Sequence, residues 1–166
     1  MTATERIAIC PGSFDPITLG HQDIIERALR IVDRVVVAVS WNSSHVKQGM
    51  FTVEDRLTMI REVFSGEPRV EAAEFQGLLV DFARTRSADL VVRGLRGVRD
   101  FEYEFQMVQM NRTLDPTIET LFLAPAADVS HISSSLVREI SRLGGDAASF
   151  VPEPVLRRLE ERSRSA

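Results

Sequence analysis

Sulfur chemistry and membrane insertion have little support in this sequence. Its single cysteine, Cys10, excludes a disulfide within the chain and favours a reducing compartment. Cys10 ends a short apolar run, which indicates a buried hydrophobic residue rather than a reactive thiol. No run approaches about 18 apolar residues, and no cationic segment followed by a long apolar stretch opens the sequence. We therefore expect a cytoplasmic protein with no membrane partner.

The sequence also has no excess of basic residues. The formal net charge is −4, which argues against general binding to nucleic acids. An anionic ligand would have to be held by a local cationic pocket. With 44% hydrophobic and 27% charged residues, the 166-residue chain is expected to form one domain over residues 1–166, with a frayed tail at about 162–166.

Strand-like and helix-like segments alternate along the chain. Short apolar runs predict strands at residues 7–10, 35–39, 70–75, 90–93 and 120–123. Helical spacing predicts helices at about 20–32, 52–64, 78–86 and 101–114, a fifth helix capped by Ser133 or Ser134, and a sixth after Pro154. This order predicts an α/β fold: a single Rossmann-like, doubly wound domain with a five-stranded parallel sheet and helices on both faces. The aromatic side chains of the fourth helix are expected to lie mostly in the core, with some apolar surface left over.

Four short segments carry polar groups to the ends of these strands. They are residues 11–16 (PGSFDP), 18–21 (TLGH), 93–96 (RGLR) and 132–135 (ISSS). A glycine and serine turn before a helix lets backbone N–H groups approach an anion. Imidazole, guanidinium and hydroxyl groups add donors for phosphate oxygens. The set contains no obvious nucleophile, which favours a reaction in which the substrates supply it.

Each of these residues also has an ordinary structural alternative. The first segment could be a connecting turn, and the serines could be a helix cap with two surface neighbours. Arg96 could form an ion pair with Asp100 or Glu104 on the next helix. Lys47 could be a solvated residue of a polar loop. Arg93 ends an apolar strand, where a buried charge requires a partner.

Two of the segments together resemble the signature of the nucleotidyltransferase superfamily: Thr18-x-Gly20-His21, and residues 132–135 followed by Arg138. Within it, the chain resembles the bacterial phosphopantetheine adenylyltransferase family. Residues 11–16, 93–96, 100–104 (DFEYE) and 110–112 (MNR) carry this resemblance, which extends from about residue 7 to residue 159.

The resemblance implies transfer of AMP from ATP to 4′-phosphopantetheine, giving dephospho-coenzyme A and pyrophosphate. It implies a catalytic set of His21, Lys47 and Arg93, and an acceptor site of Ser13, Lys47, Leu79 and Arg93. The implied ATP contacts are Ser13, Phe14, His21, Gly94, Leu95, Arg96, Glu104, Val129, Ser130, His131, Ile132, Ser133, Ser134 and Ser135. It also implies Mg²⁺ as cofactor, a homohexamer, and dephospho-coenzyme A or coenzyme A as a product or inhibitor. Since the sequence shows no carboxylate cluster for a metal, we expect the ion to be carried by the triphosphate.

Two segments depart from the family pattern. The loop at residues 41–47 is about two residues longer than usual, which affects how Lys47 reaches the acceptor. Residues 129–131 (VSH) replace an aromatic-rich stretch, which removes packing near the adenine or ribose. The alternatives left open are another small-molecule nucleotidyltransferase, such as nicotinamide mononucleotide adenylyltransferase, and a non-catalytic nucleotide-binding protein.

Overall fold

The computed structural model describes residues 5–41 and 49–165. The strands are β1 (Ile7–Gly12), β2 (Arg34–Ser40), β3 (Val70–Phe75), β4 (Leu90–Gly94) and β5 (Glu119–Leu123). The helices are α1 (Leu19–Ala28), α2 (Val53–Val63), α3 (Leu79–Thr85), α4 (Val98–Leu114), α5 (Ser134–Arg142) and α6 (Glu153–Ser165). Each predicted strand and helix is therefore found at or near its expected position.

The five strands form one parallel sheet in the order β3-β2-β1-β4-β5. The chain builds outward from β1 to β3, and then returns to add β4 and β5 on the other side of β1. The strand order therefore reverses between β1 and β4, where Ala8 pairs with Leu90. In open α/β sheets, ligands bind at the carboxyl ends of the strands beside such a reversal.

Helices cover both faces of the sheet, as the sequence predicts. One face carries Ala8 and Cys10 and packs against apolar residues of α1, α2, α5 and α6. The other face carries Ile9 and Val36 and packs against α3. Because both faces are buried, the central strands are nearly continuously apolar. The Rossmann-like α/β fold is confirmed.

Several boundaries differ from the sequence prediction. Helix α1 ends at Ala28, four residues before its expected end. The first strand continues to Gly12 because residues 11 and 12 remain in register with Ala38 and Val39. Helix α4 begins at Val98, three residues earlier than expected. Helix α6 continues through Ser165. The Arg162 guanidinium lies 5.7 Å from the centre of the Phe51 ring. Fraying of the tail at about residues 162–166 stays a prediction.

The prediction that the aromatic side chains of α4 lie mostly in the core is wrong for the single chain. Phe101, Tyr103 and Phe105 are 45%, 62% and 47% exposed, and Met110 is 59% exposed. Helix α4 lies at the edge of the sheet against α3 and the edge strand β5, so these side chains are only partly covered by the described residues. None of the described helices is long and apolar enough to cross a membrane.

Candidate active site

A cleft of about 610 Å³ lies at the carboxyl ends of β1 and β4, where the strand order reverses. Its walls come from the segment after β1, the N-terminus of α1, the end of β4, the start of α4 and the N-terminus of α5. Two helix N-termini therefore meet in one depression, and both favour negative charge. The three segments that follow β1, β4 and β5 thus meet in one cleft.

The segment after β1 is held in an unusual conformation at Phe14. This residue has φ of +45°, a value that bulky side chains rarely adopt. Its ring is 2% exposed and meets the His21 ring edge-on, with 5.0 Å between the ring centroids. A Cβ atom at position 12 would lie 2.9 Å from the Phe14 ring. Glycine at position 12 therefore makes room for Phe14 to pack beside His21.

Thr18 fixes the tautomer of His21. Thr18 is the N-cap of α1, and its backbone N–H donates to His21 Nδ1 at 3.1 Å. A backbone N–H can only donate, so Nδ1 is an acceptor and the proton of the neutral imidazole lies on Nε2. Burial, with the nearby charges of Arg96 and Arg93, lowers the pKa of His21 from 6.5 to about 4. At neutral pH the free protein therefore carries an uncharged imidazole that can donate one hydrogen bond.

Arg93 forms a two-pronged ion pair with Glu104 at the end of β4. Its Nε donates to Glu104 Oε2 at 2.7 Å, and its two terminal nitrogens donate to Glu104 Oε1 and to the carbonyl of Pro11. Burial alone lowers the pKa of Arg93, but the hydrogen bond and charge of Glu104 raise it above its usual value. The guanidinium therefore stays charged in the cleft.

Arg96 pairs with Asp100 in the first turn of α4, as the structural alternative in the sequence predicts. The Nε–Oδ2 distance is 3.0 Å, and the Arg96 side chain is 43% exposed. Burial by itself raises the pKa of the Asp100 carboxyl, but the hydrogen bonds and charge of Arg96 lower it below its usual value. Because the pair is open to solvent, Arg96 remains accessible to a ligand.

The three serines at the start of α5 have different partners. Ser133 is the N-cap and accepts from the N–H of Leu136 at 3.2 Å. The Ser134 hydroxyl donates to the carbonyl of Pro16 at 2.8 Å, which ties α5 to the segment after β1. Ser135 accepts from Arg138 at 3.2 Å. The serines therefore join the N-terminus of α5 to the segment after β1 as well as capping a helix.

Most of the residues predicted to bind substrate lie in this cleft. Those that line it are Ser13, Phe14, His21, Arg93, Gly94, Arg96, Glu104, Val129, Ile132, Ser133, Ser134 and Ser135. Lys47 lies outside the described residues.

Four other candidates make contacts away from the cleft lining. The N–H of Leu95 donates to the carbonyl of Leu123 at 2.9 Å. The hydroxyl of Ser130 bonds to the carbonyl of Ala127, and His131 packs edge-on near Phe150. Leu79 packs with the apolar cluster on the other face of the sheet. Roles for these four in binding substrate stay predictions.

Sequence reasoning did not predict the pairing of Asp15, which lines the cleft, with a buried arginine on α2. Asp15 and Arg56 are 4% and 1% exposed and lie 3.4 Å apart, although 40 residues separate them in the chain. No local pattern signals this pair. Arg138 also lines the cleft and was visible only as the last residue of the serine motif. Three residues after Ser135, it projects from the same side of α5.

The protonation of Cys10 and the arrangement of possible metal ligands limit the chemistry that the cleft can perform. Burial raises the pKa of the Cys10 thiol to about 11, with a smaller opposing effect of Arg93. The thiol is therefore protonated at neutral pH and is a poor nucleophile. Among residues 5–41 and 49–165, no group of three His, Cys, Asp or Glu side chains is arranged to hold a metal ion.

Comparison with known proteins identifies the family. The cytidylyltransferase-like family model matches residues 9–140. The phosphopantetheine adenylyltransferase of Thioalkalivibrio sulfidiphilus is 52% identical over 156 residues, which cover 94% of this chain and 97% of that protein. The enzyme of the same name from Symbiobacterium thermophilum is 52% identical over 155 residues, covering 93% and 94% of the two chains.

Solved structures with low sequence identity share the fold. A bifunctional NMN adenylyltransferase/ADP ribose pyrophosphatase from Francisella tularensis, determined with AMP and manganese, superposes with a TM-score of 0.72 at 14% identity. The match covers 97% of this chain and 50% of that one. Since half-identical relatives span nearly the whole sequence, the chain belongs to the phosphopantetheine adenylyltransferase family of cytidylyltransferase-like proteins.

Proposed function

We propose that this protein transfers the adenylyl group of ATP to 4′-phosphopantetheine, giving dephospho-coenzyme A and pyrophosphate, the penultimate step of coenzyme A biosynthesis. The observation that carries the proposal is the grouping of His21, Arg93 and Arg96 in one cleft between the N-termini of α1 and α5. Family membership supports the same chemistry. Such a cleft offers many donors to phosphate groups and, among its described lining, no activated nucleophile.

The reaction needs no nucleophile from the protein. A phosphate oxygen of 4′-phosphopantetheine forms a bond to the α-phosphorus of ATP, and the bond from that phosphorus to the bridging oxygen of pyrophosphate breaks. The bonding electron pair leaves with pyrophosphate. The attacking phosphate is already ionised near neutral pH. The main obstacle is therefore to bring two polyanions together, which positioning and opposing charge can overcome.

His21 is the proposed stabiliser of the transition state. Its Nδ1 is occupied by the Thr18 N–H, so Nε2 is the group that can donate to an α-phosphate oxygen. A donor fixed in advance does not need to reorganise as charge develops on that oxygen. A bound triphosphate would in turn favour protonation of the imidazole, which opposes the effect of Arg93 and Arg96 on its pKa.

The remaining roles follow the family assignment. Lys47 and Arg93 would hold the acceptor phosphate, with Ser13 between donor and acceptor and Leu79 at the pantetheine arm. The N-terminus of α5 would bind the β- and γ-phosphates. Gly94, Leu95, Arg96 and Glu104 would lie along the nucleotide, with the segment at residues 129–132 nearby.

We propose that magnesium enters with the ATP phosphates. The cleft carboxylates Asp15, Asp100 and Glu104 each form an ion pair with an arginine, so they are poorly suited to act as metal ligands. When bound, the ion would neutralise phosphate charge. A cytoplasmic location fits a biosynthetic role.

We also propose that the protein assembles as a homohexamer. The support is the apolar face of α4, where Val98 is 82% exposed and Tyr103 is 62% exposed. An exposed face of this kind is typical of a subunit interface. Light scattering after gel filtration should give the mass of six chains, and Tyr103→Glu should reduce it.

Pyrophosphate release from magnesium ATP tests the activity, with 4′-phosphopantetheine and nicotinamide mononucleotide supplied separately. Release with phosphopantetheine alone is the expected result. Release with the mononucleotide alone would mean that the protein performs the same adenylyl transfer on a different acceptor. No release with either, in protein that still binds ATP, would favour a non-catalytic nucleotide-binding role.

A further inference from the structure

We propose that Arg56, held by Asp15, is a positioning residue that sets the orientation of the Ser13–Phe14 peptide in the cleft. This inference rests on the proposed function for its kinetic consequence. Arg56 lies on α2 and is 1% exposed, so it is too deeply buried to touch a substrate. Any effect on the reaction must therefore pass through the residues that it contacts.

Arg56 holds two parts of the chain together. Its Nε and Nη2 donate to the carbonyl of Phe51 at 2.9 and 2.7 Å, and its Nη1 donates to the carbonyl of Ser13 at 3.2 Å. Its Nε also lies 3.4 Å from Asp15 Oδ1. The guanidinium thus connects the start of α2 to the segment after β1.

Asp15 connects the same two segments through the hydrogen bonds that it accepts. Its two carboxylate oxygens accept from the backbone N–H groups of Met50 and Phe51, each at 2.8 Å. A Cβ atom at position 49 would lie 2.1 Å from Arg56 Nη2, so glycine at that position makes room for the guanidinium. Both members of this buried ion pair also form hydrogen bonds with backbone groups. The positions of the two side chains are therefore well defined.

The hydrogen bond from Arg56 to the Ser13 carbonyl sets the direction of the Phe14 N–H. The Ser13–Phe14 peptide is trans, so its N–H points opposite to its C=O. Since the carbonyl is directed at Arg56, the Phe14 N–H is directed away from it. Among the described residues this N–H has no hydrogen-bond acceptor. It is therefore available to an anionic ligand in a segment that lines the cleft.

The same contact helps to explain the strained backbone of Phe14. A positive φ at a bulky residue is unfavourable and persists where surrounding contacts impose it. Arg56 on the Ser13 carbonyl and Arg138 on the Asp15 carbonyl hold the chain on either side of Phe14. The ring then packs against His21. Loss of Arg56 would thus disturb both the Phe14 amide and the imidazole.

Arg56→Lys tests the proposal because it keeps a positive charge and removes the planar group that reaches three acceptors. We expect kcat to fall by about 10²-fold, the range for loss of one fixed donor, with a smaller change in KM for ATP. Ile60→Val is the matched control: Ile60 is fully buried on the same helix, and its apolar side chain forms no hydrogen bond with this segment. That control should keep kcat within about twofold.

A second measurement, by NMR, detects the Phe14 amide directly. In ¹⁵N-labelled wild-type protein, magnesium ATP should shift the Phe14 amide resonance, and Arg56→Lys should abolish that response. This result does not require turnover, so it tests the positioning role even if the adenylyl acceptor is a different molecule. The proposal is overturned if the wild-type amide does not respond to magnesium ATP, or if Arg56→Lys retains wild-type kcat. Should Arg56→Lys not fold, the wild-type amide response decides.

Discussion

The Arg93 guanidinium and the Glu104 carboxylate form a two-pronged pair in the wall of the cleft, with 2.7 Å between Nε and Oε2. The two side chains are 28% and 11% exposed. Both oxygens of Glu104 are therefore engaged by Arg93 in the free protein. Glu104 would therefore have to contact the nucleotide while it is still paired with Arg93, or release Arg93 in order to do so.

The first prediction concerns the stability of this pair. Glu104→Gln keeps the shape of the side chain and removes its charge, so Arg93 loses a charged partner in a poorly solvated site. We expect the free energy of unfolding to fall by roughly 1.5–3 kcal/mol, the range for hydrogen bonds to charged groups. Urea unfolding followed by circular dichroism measures it.

Asp100→Asn is the matched control for that prediction. The Arg96–Asp100 pair is more exposed, at 43% and 28%, and should contribute less than about 1 kcal/mol. Equal losses in the two variants would show that the closer geometry of the Arg93–Glu104 pair adds no stability.

The second prediction concerns His21 as a hydrogen-bond donor. His21→Ala should fold normally and lose about 10²–10³-fold in kcat, because it removes one donor aimed at the developing charge. Gln22→Ala, the next residue on α1, is the control and should keep wild-type turnover. Pyrophosphate release under saturating substrates measures both. A His21→Ala protein with wild-type turnover would contradict the role.

The third prediction concerns pH. The pKa of His21 is about 4 in the folded protein, against 6.5 as its ordinary value. Between these values the unfolded chain binds more protons than the folded one, so lowering the pH from 6.5 to 4 favours unfolding. The contribution of His21 is fully present above about pH 6.5 and is lost progressively below it.

Thermal unfolding from pH 4 to pH 8 measures this effect. The melting temperature of the wild-type protein should fall more steeply below pH 6.5 than that of His21→Asn. Parallel curves for the two proteins would contradict the lowered pKa. Proton NMR of the His21 ring, assigned by comparison with the variant, should show a midpoint near pH 4.

The fourth prediction concerns Lys47, which lies outside the described residues. Lys47→Ala should raise KM for 4′-phosphopantetheine, because it removes a cation from the proposed acceptor site. ATP affinity, measured by calorimetry without the acceptor, should stay nearly unchanged. A collapse of ATP binding would contradict the assignment of this lysine to the acceptor.

Local signals in the sequence were sufficient for the order and type of the secondary structure. Apolar runs marked the strands, and the serines at 133 and 134 marked the start of α5, which Ser133 caps. These signals depend on neighbours within one helical turn, so they can be recognised without the fold. The alternation of strands and helices then determined the parallel sheet and the edge at which the motifs meet.

Contacts between distant parts of the chain could not be inferred in this way. The pairing of Asp15 with Arg56 depends on how α2 lies against the segment after β1, and the exposure of α4 depends on its position at the edge of the sheet. A charged residue shows no local sign of the partner that will neutralise it. The sequence by itself therefore determined the fold class, the family and the segments that meet in the cleft. The tertiary structure decided which charges pair with one another, because pairing depends on distance in space.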